Sequence, residues 1–467
     1  MDKREAGPAQ VDVVVRGGLV VDGAGMQKYD ILIKDGTVVG RAAPGQKVEA
    51  KRVVDASGKL VLPGVIDAHN HPVYSDRIGT LSVSAALGGV TTVISFIGAI
   101  KAWGKTGSLL DAARDFIEEG EAGSVIDFCA HGSLVRDDLE TIEETIPKLV
   151  ELGVTSFKGF MAYSKRGMKL EDNDLLRVMR VIGAHGGLFC VHAENGTMLD
   201  YLQDTFIAAG RITPEYHALA QPNIAESEAV LRIAALASVV ECPVYLVHLS
   251  ARQSLDVVRM WRGWGGSIVY AETCTHYLTL SNADLLARGS LGKVGPPLRE
   301  KGDVEALWEA IREGAIDVVA SDFAGHTTKN KEPIWDDIFK APAGLPGVGN
   351  LLTVVYDEGV NRGRITIPRL VELLCERPAK IFGLYPRKGA LRPGSDADLV
   401  LFDPTVEHVI RASGQRLNTD YSMYEGRRCV GAPVLVMQRG RVIVEDGEVK
   451  ASPGQGSYVP RASRKTA

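Results

Sequence analysis

Apolar and polar positions alternate over the first sixty residues with the period of two that a half-buried strand requires. Val11-Asp12-Val13-Val14-Val15-Arg16, Asp30-Ile31-Leu32-Ile33-Lys34 and Arg52-Val53-Val54-Asp55 are the clearest runs, and Asp35-Gly36 after the second predicts a tight hairpin turn. The same signature returns near the other end, over 397–402, 434–437 and 441–444, with Arg439-Gly440 as a turn between the last two. Neither end has enough strands to cover its own apolar face, so the two are expected to pair into one small β-sandwich domain. The middle of the chain reads differently. Eight short apolar runs, at 65–68, 92–96, 125–130, 156–160, 188–191, 244–247, 268–271 and 318–321, alternate with segments of helical period such as 108–119, 226–240 and 304–312. Eight strand-then-helix units close most simply into an α/β fold of the (β/α)8 TIM barrel type. An open doubly wound sheet would need a glycine-rich phosphate turn after an early strand, and no G-x-G-x-x-G stands there. The predicted organisation is a composite sandwich from 1–62 and 384–452, a barrel over 63–383, and a tail over 453–467. The tail contains Pro, Gly, Ser and Arg without an apolar period, and is read as mobile or packed on a neighbouring subunit.

Five of the apolar runs stop at side chains that can bear on a metal. They are Val65-Ile66-Asp67-Ala68-His69-Asn70-His71, Ser156-Phe157-Lys158, Phe189-Cys190-Val191-His192, Tyr245-Leu246-Val247-His248 and Val318-Val319-Ala320-Ser321-Asp322. A strand that ends on such a residue sets it at the rim of the sheet, and rims of one barrel converge on its mouth. His69 and His71 are alternate residues and share a face, and imidazole suits zinc, manganese or iron. Lys158 is the odd member, because an ammonium has three donors and no acceptor. Deprotonated, its amine can take up carbon dioxide and become an anionic two-oxygen ligand, and burial favours the neutral amine. Asp322 could bind metal and also accept a proton from a bound water. His276 and His326 fall near the mouth and could orient substrate. His131, His185, His217 and His408 have no such context.

Composition narrows the field. The chain has 467 residues, 45% hydrophobic and 24% charged, with a net charge of −5, which is ordinary for a globular protein and offers no basic surface for nucleic acid. The six cysteines are scattered without a C-x-x-C, so free thiols in a reducing cytoplasm are expected. The charged start Met1-Asp2-Lys3-Arg4-Glu5 lacks a signal-like apolar core, and no apolar run is long enough to predict a membrane span. No Gly-x-Ser-x-Gly elbow marks a serine nucleophile.

Taken together, these motifs resemble the hydantoinase–dihydropyrimidinase–allantoinase group of cyclic amidohydrolases, within the amidohydrolase superfamily. The likeness runs over nearly the whole chain. It rests on Pro63-Gly64-Val65-Ile66-Asp67-Ala68-His69-Asn70-His71, Phe157-Lys158-Gly159-Phe160-Met161-Ala162-Tyr163, His192-Ala193-Glu194-Asn195, Val247-His248-Leu249-Ser250 and Glu272-Thr273-Cys274. It continues through Lys293-Val294-Gly295-Pro296-Pro297-Leu298-Arg299, Ser321-Asp322, Pro378-Ala379-Lys380-Ile381-Phe382-Gly383-Leu384 and Gly394-Ser395-Asp396-Ala397-Asp398-Leu399-Val400. The resemblance implies two divalent metal ions, zinc or else manganese. His69, His71 and Asp322 would hold one, His192 and His248 the other, with carboxylated Lys158 and a hydroxide bridging them. It implies that Tyr163 stabilises the oxyanion, that backbone near Gly295 and Ala343 grips the ring, and that Asp322 moves the proton. The reaction so implied opens hydantoins or dihydropyrimidines to N-carbamoyl amino acids, in a cytoplasmic homo-oligomer, tetramer or dimer.

The chain also departs from the group's pattern. Phe323 stands where the group usually has His, and Gly295 and Ala343 stand where Ser and Asn are common. Cys274-Thr275-His276-Tyr277-Leu278 is similar to allantoinases. Ser321-Asp322-Phe323-Ala324-Gly325-His326 with Lys331-Glu332-Pro333 is similar to hydantoinases acting on the L side. Phe96 and Trp103 fall in mouth loops where the group tunes substrate size. The alternatives to a hydantoinase are therefore an allantoinase, a barrel with a single metal, and a non-catalytic scaffold of the same fold, a class that has lost metal ligands.

Overall fold

The fold was read from a computed structural model that describes residues 10–332 and 336–464. Seven strands precede the barrel: β1 (Val11–Arg16), β2 (Leu19–Asp22), β3 (Gly25–Lys28), β4 (Asp30–Lys34), β5 (Thr37–Ala42), β6 (Ala50–Asp55) and β7 (Leu60–Pro63). The barrel strands are β8 (Val65–Asn70), β9 (Val90–Ile97), β10 (Asp127–Ser133), β11 (Ser156–Phe160), β12 (Leu188–His192), β13 (Val244–Leu246), β14 (Val269–Cys274) and β15 (Val318–Ala320). Four more follow: β16 (Leu399–Val409), β17 (Arg428–Gln438), β18 (Arg441–Glu445) and β19 (Glu448–Val449).

The eight barrel strands lie in sequence order in one parallel sheet. A parallel bridge from Asn70 to Phe323, the residue after Asp322, brings the last strand back to β8 and nearly closes the ring. Helices run between the strands, including Leu109–Gly123, Asn223–Val239 and Lys301–Glu313. The barrel interior is filled by Ile66, Ile94, Phe96, Tyr245 and Val318, with Phe382 beneath them. Both faces of each strand are covered, which is why these segments are near-continuous apolar runs rather than alternating ones. This is the expected TIM barrel.

Both chain ends build the expected β-sandwich. One sheet has the order β5-β4-β1-β6, the other β19-β18-β17-β16-β7-β2-β3. The ends meet where β7 pairs antiparallel with β16, Leu62 opposite Val400. Val13, Ile31 and Ile33 of the first sheet pack on Val61, Leu399, Leu401 and Met437 of the second. Asp35 and Gly36 both take positive φ, 50° and 75°, as the two-residue hairpin turn between β4 and β5 demands. The alternation rule passes over β7, all four of whose residues are buried between neighbouring strands. It also stops short in β16, which continues past Pro404 through a register shift between Asp403 and Glu407. Proline is tolerated there because the ladder is already interrupted.

The tail corrects the expectation of a mobile or partner-bound segment, at least through Arg464. It crosses the floor of its own barrel. Phe128 N donates to Ser457 O (3.0 Å), Val459 N to Phe128 O (2.9 Å), Arg461 N to Gly153 O (3.1 Å) and Arg464 N to Gly186 O (3.0 Å). These partners precede or begin β10, β11 and β12, the ends opposite the mouth. The tail, sandwich and barrel meet at Lys388, a lysine 1% exposed. Its Nζ donates to Asp127 Oδ2 at the start of β10 (2.5 Å) and to Asp398 Oδ2 just before β16 (2.6 Å). Ser457 N of the tail donates to the other oxygen of Asp127 (3.0 Å). No helix among the described residues is long and apolar enough to cross a membrane.

Candidate metal centre

Side chains at the C-terminal ends of β8, β11, β12, β13 and β15 converge. His69 lies in β8 and His71 just beyond it. Lys158 is central in β11, His192 ends β12, His248 follows β13, and Asp322 follows β15. His69 Nε2 stands 3.2 Å from His71 Nε2, 3.1 Å from Asp322 Oδ1 and 3.1 Å from Lys158 Nζ. His192 Nδ1 stands 3.0 Å from His248 Nε2. The His69 and His248 rings are stacked with centroids 5.4 Å apart. The structure thus gathers all six predicted residues at one mouth, as a triad with Lys158 against its His69 and a neighbouring pair.

The protonation pattern tests whether cations fit. His69 Nδ1 donates to Glu272 Oε1 (2.6 Å), so its Nε2 presents a lone pair inward. His192 Nε2 donates to Glu194 Oε2 (2.8 Å), so its Nδ1 does the same. Burial holds His69 and His248 well below the usual imidazole range and brings His71 to about 3. Ring nitrogens and a carboxylate crowd one another at 3.0–3.5 Å, and His and carboxylate donors so gathered suit zinc or manganese. The donor set therefore suits a binuclear metal site. Lys158 is 2% exposed and forms no ion pair with a carboxylate among the described residues. Its Nζ lies over the Phe96 ring at 4.4 Å, and burial lowers its pKa. Burial works against the ammonium here, and no carboxylate pairs with it directly to offset that cost.

Backbone strain marks the same residues. His248, Asp322 and Tyr163 have φ of 42°, 45° and 69°. A positive φ on a residue other than glycine costs about 1–3 kcal/mol and persists where the surroundings fix it. Part of what fixes Asp322 is Asp67, whose carboxylate accepts from Ser321 N (2.9 Å), Ser321 Oγ (2.7 Å) and Asn70 Nδ2 (3.1 Å). Glu272 does the same for two histidines, accepting from His69, from His248 N (2.9 Å) and from Tyr245 Oη (2.8 Å). Its role is not evident from the sequence, where it is one carboxylate inside an apolar strand. Such outer partners commonly change metal affinity by about 10–100-fold. Glu272→Gln is expected to weaken metal retention by that factor, read as metal released to a competing chelator.

A small chamber of about 70 Å³ opens on these groups, lined by His71, Trp103, Tyr163, Gly295, Asp322 and Ala343 among others. A larger cavity of about 540 Å³ lies outside it and shares Tyr74, Tyr163, Arg166, Gly295 and Ala343. Gly295 lets the Tyr163 hydroxyl approach its backbone, since a Cβ there would stand 2.8 Å from Tyr163 Oη and displace it. Burial raises the Tyr163 hydroxyl well above its ordinary value, so it remains a donor. The other histidines sort cleanly. His326 lines the outer cavity, with Nε2 3.3 Å from Ala343 O. His276 is buried within reach of Asp322, its Nε2 without a partner among the described residues. His131 Nε2 faces Ala68 O and His217 Nε2 faces Val294 O, both as structural contacts.

Comparison with known proteins adds independent findings. The pattern of the amidohydrolase family matches residues 60–443. A D-hydantoinase from Ralstonia pickettii is 39% identical over 97% of this chain and 100% of its own length. An L-hydantoinase from Paenarthrobacter aurescens is 36% identical over 96% of this chain and 98% of its own. A solved D-hydantoinase structure superposes with a TM-score of 0.91 at 38% identity, covering 97% of this chain and 100% of that one.

Proposed function

The chain belongs to the amidohydrolase family, and from that premise we propose that it is a cyclic amidohydrolase opening hydantoins or dihydropyrimidines to N-carbamoyl amino acids. One observation carries the reading. Ring nitrogens of His69, His71, His192 and His248 gather with the Asp322 carboxylate and the buried Lys158, which no carboxylate pairs among the described residues, at the mouth of the barrel. His69, His71 and Asp322 would hold one divalent ion and His192 and His248 the other, with Lys158, carboxylated on Nζ, joining them. Zinc is the ion we assign, with manganese as substitute. Such ions supply Lewis-acid activation of water and of the amide carbonyl.

The chain's own residues do the rest. Asp322 takes the proton of the attacking water and returns it to the leaving ring nitrogen. Tyr163, kept protonated by burial, donates its O–H to the carbonyl oxygen as charge develops there. Backbone at Gly295 and Ala343 lines the chamber beside it and orients the ring. Phe323, buried at 0% exposure, adds no donor behind Asp322. Tyr163→Phe is expected to lower kcat by about 10²–10³-fold with a smaller change in KM, measured by steady-state ring opening.

The test of the function is a panel assay on purified, metal-loaded protein: 5-substituted hydantoins of both hands, dihydrouracil and allantoin. Ring opening of a hydantoin or dihydrouracil supports the proposal. Exclusive turnover of allantoin would make the protein an allantoinase, and absence of both metal and turnover would make it a scaffold. On the same reading the chain works in the cytoplasm as a homo-oligomer, dimer or tetramer, which light scattering of the purified protein checks.

A further inference from the structure

The outer cavity is far larger than a five- or six-membered ring fills, and its size is that of sites for drug-sized ligands. Whatever hangs from the ring must therefore be read there. Much of the wall is apolar, from Leu199, Ala220, Phe339 and Pro342. Its charged groups are mostly satisfied. Lys165 is paired with Asp204, and Lys340 with Asp337 at 3.0 Å. Asp200 accepts from Ser164 Oγ. Lys293 is buried and donates to Ile338 O and Ala341 O, both at 2.7 Å.

Arg166 is the exception. It sits on the short turn Ser164–Arg166 that follows Tyr163, and it lines both the inner chamber and the outer cavity. Its guanidinium carbon is 5.4 Å from the centre of the Tyr163 ring, and Tyr74 lines both cavities with it. It forms no ion pair with a carboxylate among the described residues. A guanidinium beside an aromatic ring, lining both the outer cavity and the inner chamber, presents a planar fork of donors with no carboxylate paired to it. Carboxylate is the group that matches such a fork, in two parallel bonds.

Resting on the cyclic amidohydrolase reading, we propose that Arg166 selects substrates whose ring substituent ends in a carboxylate, as in the hydantoins of acidic amino acids. The apolar wall then receives the methylene stem, and Arg166 pairs with the terminal group. A neutral substituent of equal size gains the wall contacts and forfeits the ion pair.

The experiment compares 5-(2-carboxyethyl)hydantoin with its neutral isostere, 5-(2-carbamoylethyl)hydantoin, in the metal-loaded wild type, Arg166→Gln and Arg166→Lys. The wild type should favour the acid by about tenfold or more in kcat/KM, the discrimination expected of one charge-assisted pair. That ratio should shrink in high salt, because the pair is near the surface. Arg166→Gln should bring the ratio close to one, and Arg166→Lys should keep part of it. A merely structural role would change both substrates alike. Equal use of the two by the wild type, or a ratio unmoved in Arg166→Gln, overturns the proposal. Calorimetric binding of the ring-opened products, N-carbamoylglutamate and N-carbamoylglutamine, reads the same ratio without turnover. Preference for the acid in binding with no ring opened would uphold Arg166 and overturn the hydrolase reading.

Discussion

Replacing Lys158 with methionine is expected to cost roughly three powers of ten in kcat, or about 4 kcal/mol of activation free energy. Metal content should fall at the same time, from about two ions per chain to one or fewer. Methionine keeps most of the volume between Phe96 and Phe160, over whose rings Nζ lies at 4.4 and 5.5 Å. It removes only the nitrogen that stands against His69 of the triad. The fold should survive, which circular dichroism checks. The intact mass of the wild type, measured without acid, should show the carboxylated amine, and the variant should not. Near-normal turnover with both ions retained would sink the assignment of Lys158.

The second large effect lies far from the mouth. Lys388→Met leaves Asp127 and Asp398, at 0% and 3% exposure, without the cation that both now bind. Breaking a buried pair on one side typically costs about 3–5 kcal/mol, and here one ammonium serves two buried acids. The variant should unfold at markedly lower denaturant concentration. Its pH dependence has a definite sign. Asp127 keeps Arg439 at 3.0 Å, but without the ammonium the buried Asp398 carboxyl holds its proton more tightly folded than unfolded, so the folded state binds more protons. Stability then falls as pH rises, and the deficit should be smaller at pH 5 than at pH 8. The compound variant Lys388→Met with Asp127→Asn and Asp398→Asn should recover part of the loss. A deficit that grows toward acid would show that charge burial is not the cause.

Much of this was legible in the sequence, for a physical reason. Barrel strands are buried on both faces, so residues such as 244–247 and those of Val318–Ala320 leave unbroken apolar runs that end abruptly where polar chemistry begins. His69, His71, Lys158, His192, His248 and Asp322 were visible because each interrupts such a run. The outer partners were less visible. Glu272 and Asp67 are single carboxylates whose meaning comes from atoms hundreds of residues away, as with Ser321 over Asp67. The Lys388 junction joins three remote segments and has no local pattern at all. The tail looked unstructured because its order comes from backbone hydrogen bonds to the barrel floor, which need no apolar period. Arg166 reads as an ordinary surface charge until the cavity beside it is seen.

The pairing of β7 with β16 also sets a timetable for synthesis. Leu62 waits for Val400, so nearly the entire barrel must emerge from the ribosome before β7, paired on one side with β2, acquires its second partner. At translation speeds of about 5–20 residues per second, that interval is on the order of tens of seconds. For that time the nascent protein carries an apolar, unpaired sheet edge, the kind of surface that chaperones shield and that drives inclusion bodies when expression outruns them. Slower translation at low temperature should therefore raise the soluble yield more through chaperone coverage than through any gain in final stability.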